Sequence, residues 1–198
     1  MPRRRYIFDP PDRFVAGAIG EPGERAFFLQ AREGRRVVSV ALEKVQVAVL
    51  AERLGALLDE LGRRGIAEVD ETDAIAEAIE AETETETGDE ASSLDEPLNE
   101  AFRAGSLTLG WDGGAGLVLV EARAQDEDGE AIDPDEDDDE DDDGPDLLRV
   151  RMTAAAARGF VARAERVVAA GRPPCPLCGA PLDPLGHICP RRNGHYVN

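Results

Sequence analysis

The sequence predicts an α+β fold in which a duplicated βββα unit forms one mostly antiparallel sheet with two helices, followed by a C-terminal zinc knuckle. Three observations lead there. The motif FVAG at 14–17 returns as FRAG at 102–105, and each copy opens a similar series of strand patterns. Each series closes on a stretch with apolar residues at helical spacing. All three cysteines and both histidines lie between positions 175 and 195.

The first unit is expected over 5–65. Residues 25–32 read as a strand, Glu33-Gly34 as a turn, and 36–42 as a strand with Val38, Val40 and Leu42 on one face. The sequence Glu21-Pro22-Gly23-Glu24 suits a type II turn, because proline sets the second position and glycine supplies positive φ at the third. A helix follows, with Val47, Leu50, Leu54, Leu57 and Leu61 at helical spacing.

The second unit, expected over 100–171, repeats the plan. Leu107, Leu109 and Trp111 alternate, Asp112-Gly113-Gly114 turns the chain, and 117–122 returns. Leu148, Val150 and Met152 stand where Val38, Val40 and Leu42 stand in the first copy. The closing helix carries Phe160, Ala164, Val167 and Val168, with Thr153 as N-cap and Gly171 plus Pro173 as stop signal.

Two polar stretches interrupt this scheme. Residues 66–99 read as an acidic linker, and the insertion 125–146 is almost pure Asp and Glu. Such composition buries too little apolar surface to offset chain entropy, so the insertion is expected to be disordered. Removing both stretches leaves about six strands and two helices, enough for a shared core where one unit alone would be marginal.

Charge narrows the function. The 198-residue chain has 22 basic and 42 acidic residues, a formal net charge of -20. Nucleic-acid affinity rests on Lys and Arg displacing counterions, so binding to nucleic acid is disfavoured, as is an anionic membrane surface. No apolar run approaches the roughly 20 residues needed to span a bilayer. The odd, clustered cysteines and the lack of a secretory h-region point to a reducing cytoplasm.

The tail, 172–198, carries the strongest chemical signal. Cys175-Pro-Leu-Cys178-Gly has the spacing at which two thiolates reach one ion while glycine lets the backbone turn beneath it. Cys189 supplies a third thiolate, and His187 or His195 an imidazole. His187 is favoured, because GHICP mirrors CPLCG; His195 is the reserve ligand or a neighbour of the site. The competing readings are a CxxC redox pair, free thiols, or a catalytic zinc. A filled Cys₃His site has no open position for water, which argues against catalysis.

Other patterns are weaker. Asp139, Asp141, Asp143 and Gly144 imitate the start of an EF-hand loop, but the position that needs a bidentate Glu is Val150, inside an expected strand. Arg3, Arg4 and Arg5 with Arg191 and Arg192 could form a small basic patch, although solubilising charge explains them as well. No catalytic constellation and no phosphate-binding glycine loop is evident.

The stretches PDRFVAGAIGEPGERAFFLQA, VVSVALEKVQVAVLAERL, LDEPLNEAFRAGSLTLGWD, DLLRVRMT and AAGRPPCPLCGAPLDPLGHICPRRNG resemble an uncharacterised actinobacterial domain-of-unknown-function family (DUF3090), also labelled a repeat protein. The resemblance covers most of the chain outside the acidic segments. It implies an aromatic residue near the place of His195, which supports His187 as the fourth ligand, and it brings no established activity. The leading expectation is a cytoplasmic, non-enzymatic protein-interaction module with a structural zinc ion and an unknown protein partner. One rival is an enzyme or small-ligand binder with a polar site between the repeats, where Arg25, Glu43, Lys44 and Arg163 would be the groups of interest. The other is RNA binding through the zinc tail.

Overall fold

Among the described residues, apolar alternation places Leu148, Val150 and Met152 in the core, while residues 27–31 and 38–42 are buried on both faces. The computed structural model describes residues 3–21, 23–66, 94–126, 128–131, 144–170, 175–178, 189 and 191. In chain order the elements are β1 (Arg5–Phe8), β2 (Arg13–Ile19), β3 (Ala26–Glu33), β4 (Arg36–Leu42), α1 (Lys44–Arg63), β5 (Glu100–Asp112), β6 (Leu117–Ala124), β7 (Leu147–Met152) and α2 (Ala154–Ala169). The strands form one sheet in the order β1-β7-β6-β5-β4-β3-β2.

Local turn chemistry explains the three hairpins that build most of it. Glu24 N–H donates to Glu21 O at 2.9 Å, and Gly23 has φ +112, which closes β2 onto β3. Gly34, at φ +58, turns β3 into β4. Asp112 Oδ1 accepts from the N–H groups of Gly114 and Ala115 at 2.9 and 3.0 Å, fixing the β5–β6 turn.

The sheet is mixed, and among the described residues it has one strand more than the sequence suggests. β1 pairs in parallel with β7, Arg5 opposite Leu147 and Phe8 opposite Val150. β4 and β5 are also parallel, from Ser39 opposite Glu100 to Ala41 opposite Arg103. The remaining four pairings are antiparallel.

The edges of this sheet are drawn together. Edge strands β1 and β2 are joined by residues 9–12 alone. Six strand spacings would put the edges of a flat sheet about 29 Å apart. The chain from Phe8 to Arg13 reaches at most about 18 Å. The sheet therefore curls. Tyr6 of β1 stacks on Phe102 of β5 with ring centroids 6.2 Å apart, although two strands lie between them in the sheet. Arg36 donates to Ile7 O at 3.1 Å and lies 4.5 Å over the Phe8 ring.

The helices fill the concave side. Leu29, Val40, Val118, Val120 and Val150 point there and meet Leu50, Leu54 and Leu58 of α1 and Phe160 and Ala164 of α2 in one buried cluster. Each fully buried Leu or Phe contributes about 1.5–3 kcal/mol, so this cluster is the main source of stability. The buried stripe of α1 runs through Leu58 rather than Leu57, which is only partly covered. Gln46 begins α1 by accepting from Glu43 N–H at 2.8 Å, while its Nε2 donates to Ala104 O and Gly105 O of β5. Thr153 caps α2, accepting from Ala156 N–H at 3.2 Å. Gly171 and Pro173, the expected stop, lie outside the described residues.

The convex side is covered in part by segments expected to be linker or insertion. Residues 94–98 cross the first half, where Leu94 packs on Val15, Phe28 and Ala41. Residues 94–98 of the expected linker are thus packed against the sheet, because Leu94 and Leu98 have an apolar surface to cover. Residues 67–93 of the expected linker lie outside the described residues. The start of the insertion is likewise built. Gln125 bridges Ala131, and Asp126 Oδ1 accepts from Asp128 and Glu130 N–H at 3.0 and 2.7 Å. Its end is held too: Asp146 accepts from Arg4, and Pro145 O from Arg3. Residues 132–143 lie outside the described residues.

Two glycines permit these crossings. A Cβ on Gly17 would stand 2.6 Å from Leu94 Cδ2. On Gly105 it would stand 3.0 Å from Ala131 Cα and 3.1 Å from Gln125 Cα. These are the final glycines of FVAG and FRAG.

Candidate metal centre

The cysteine spacing becomes a cluster in space. After α2, residues 175–178 make a turn. Cys175 is buried, Cys178 half-buried and Cys189, from further along the tail, buried. The three Sγ atoms all lie within 4.8 Å of one another, and Cys175 Sγ is 4.0 Å from Cys189 Sγ.

That separation fits a shared ion. Tetrahedral zinc with bonds of about 2.3 Å holds its sulfur ligands about 3.8 Å apart. The turn also prepares the ligand chemically. The backbone N–H groups of Leu177 and Cys178 point at Cys175 Sγ and hold its thiol below the ordinary range, against the opposing effect of burial. Hydrogen bonds to the thiolate favour the form that binds metal. His187 and His195, the two candidates for a fourth ligand, lie outside the described residues, as does Arg192.

The other sequence candidates are spread through the fold. Glu43 and Lys44 are exposed at the start of α1, and Glu43 pairs with Arg103 at 3.1 Å. Arg25 leads into β3, and Arg163 is half-buried on α2. Arg3 and Arg4 are engaged by Pro145 and Asp146. Asp139, Asp141 and Asp143 of the EF-hand-like run lie outside the described residues, while Val150 is fully buried in β7.

Two charge networks were not singled out by the sequence. On the convex side Glu121 is buried between Arg123, at 2.9 Å, and Arg149. At the far end of the β5–β6 hairpin Arg151 joins Asp9, at 2.6 Å, to Asp112. Glu121, Arg123, Arg149 and Arg151 alternate with core residues along β6 and β7, which reads as ordinary solvent-facing charge. Among the described residues, no helix is long and apolar enough to cross a membrane.

The sequence matches, over residues 6–189, the family described as Protein of unknown function (DUF3090). The chain belongs to that family. Comparison with curated proteins and with solved structures found no match. The DUF3090 span takes in all seven strands apart from Arg5, both helices and all three cysteines. It contains His187 and stops before His195.

Proposed function

We propose that this DUF3090 protein is a cytoplasmic, non-enzymatic protein-interaction module whose tail folds around one structural zinc ion. The ligands are Cys175, Cys178, His187 and Cys189. The observation that carries the metal reading is the convergence of three thiols within 4.8 Å around a turn whose N–H groups favour a thiolate. Thiolate-rich sets select zinc among the common divalent ions, and four protein ligands close the tetrahedron against water. His187 is the fourth ligand in this reading because it lies two residues from Cys189 and inside the matched span. The ion then supplies folding free energy rather than chemistry.

The scaffold is read as a duplication. Each half runs through a three-strand meander into a helix, and the equivalent glycines Gly17 and Gly105 each admit a segment crossing the convex side. An acidic, duplicated scaffold with a closed metal site suits recognition of a protein better than turnover of a substrate.

Three measurements test this. Elemental analysis of purified protein is expected to return one zinc per chain, and Cys175→Ser to lower the melting temperature. Absence of zinc with an unchanged melting curve would refute the metal reading. A pull-down with full-length and tail-deleted protein is expected to recover a defined protein partner with the intact chain. Recovery of a nucleic acid in a steeply salt-dependent manner, or a small molecule co-purifying with the protein, would refute the interaction reading.

A further inference from the structure

The three thiols differ in access and in reach, and the difference has a chemical consequence. Cys175 and Cys189 are each only 6 % exposed, whereas Cys178 is half-buried and is the most exposed of the three residues. Cys175 and Cys178 share one turn. A four-residue turn holds its end Cα atoms within about 7 Å, and a disulfide needs about 4.4–6.8 Å. The two can therefore join without unfolding the segment between them.

We infer that the metal centre is a redox-sensitive clasp: hydrogen peroxide oxidises Cys178, Cys175 closes a disulfide with it, and the ion is expelled. This rests on the zinc reading above. In the first step the Cys178 sulfur attacks one peroxide oxygen, the O–O bond breaks, and the product is a sulfenic acid plus hydroxide, which solvent protonates. In the second step the Cys175 sulfur displaces the sulfenic oxygen as a second hydroxide. The two thiolates lose two electrons in all, the peroxide is reduced to two waters, and two protons are consumed. Only Cys189 and the imidazole remain as donors. Two ligands hold zinc poorly, so oxidation releases the ion and with it the constraint on the tail.

Full-length zinc-loaded protein, its metal content measured first, is treated with a small excess of hydrogen peroxide in the presence of a chromophoric zinc chelator. Two thiols are expected to disappear for each zinc released. Peptide mapping is expected to find a Cys175–Cys178 disulfide with Cys189 still alkylated, and reductant plus zinc to restore the starting state. A chain that holds zinc but keeps it under peroxide overturns the clasp and leaves the structural zinc intact. So does release accompanied only by Cys178 sulfonic acid or by a Cys175–Cys189 disulfide. A chain purified without zinc overturns both readings.

Discussion

Gln30 and Asp95 exchange two hydrogen bonds: Asp95 N–H donates to Gln30 Oε1 at 2.7 Å, and Gln30 Nε2 donates to Asp95 O at 3.0 Å. A side-chain amide on β3 thus pairs with the main chain of the crossing segment as a neighbouring strand would. Ser39 Oγ accepts a further bond from the same amide. Gln30→Leu keeps the volume and removes the partners of the half-buried main-chain groups of Asp95. Its expected cost is about 1–3 kcal/mol, measured by urea unfolding. An unchanged midpoint would mean that water replaces the amide.

Gly17 and Leu94 should be energetically coupled. Gly17→Ala places a methyl where Leu94 Cδ2 already stands, so Leu94 must move off Val15 and Phe28. The substitution is expected to destabilise the native chain and to cost less in a Leu94→Ala background. A double-mutant cycle should return a coupling of about 0.5–3 kcal/mol. Additive costs would show that the two residues do not touch in solution.

Glu121 neutralises Arg123, which the fold has buried, and Arg149, which is half-buried. The Arg123 and Glu121 side chains are each 5 % exposed. Glu121→Leu strands the Arg123 cation, and the expected loss is about 3–5 kcal/mol. Replacing both Glu121 and Arg123 with apolar residues should cost less than the single change. Thermal melts of the single and double variants distinguish an uncompensated charge from simple loss of packing.

Acid should loosen the β5–β6 turn late. The N–H groups of Ala115 and Gly114, and then Arg151, hold the Asp112 carboxyl below its ordinary range. A carboxyl whose folded pKa is depressed stabilises the fold fully above its unfolded pKa, and that contribution fades as pH falls through the lower, folded value. Trp111 is adjacent and is the sole tryptophan in the chain. Its fluorescence should therefore stay constant down to the ordinary carboxylate range and change below it. Asp112→Asn should remove that acid transition.

Legibility in the sequence followed the range of the interaction. The β3–β4 and β5–β6 hairpins and the Thr153 cap were readable because alternation, Asp-Gly-Gly and a capping hydroxyl act over a few residues. β1 was not, since the four residues RYIF gain strand character only from a partner 142 positions away. The crossing segment at 94–98 has no periodicity and reads as the end of a polar linker, yet Leu94 and Asp95 are specified by what lies beneath them. Glu121 and Arg123 look like a solvent face because sequence alternation does not reveal that the face is covered. The cysteines were legible from spacing alone. The N–H groups aimed at Cys175 follow from the same tight turn, and so were implicit in Cys-Pro-Leu-Cys.

The β1–β7 pairing also fixes an order of events during synthesis. Arg5 leaves the ribosome 142 residues ahead of its partner Leu147. At roughly 5–20 residues per second, the N-terminal strand waits about 7–30 s for a neighbour. Until then the emerging chain has β2, β3, β4 and α1 available to form local contacts, with Phe8 lacking its cover. β1 is thus the last strand of the sheet to find its place, although it precedes the other strands in the chain.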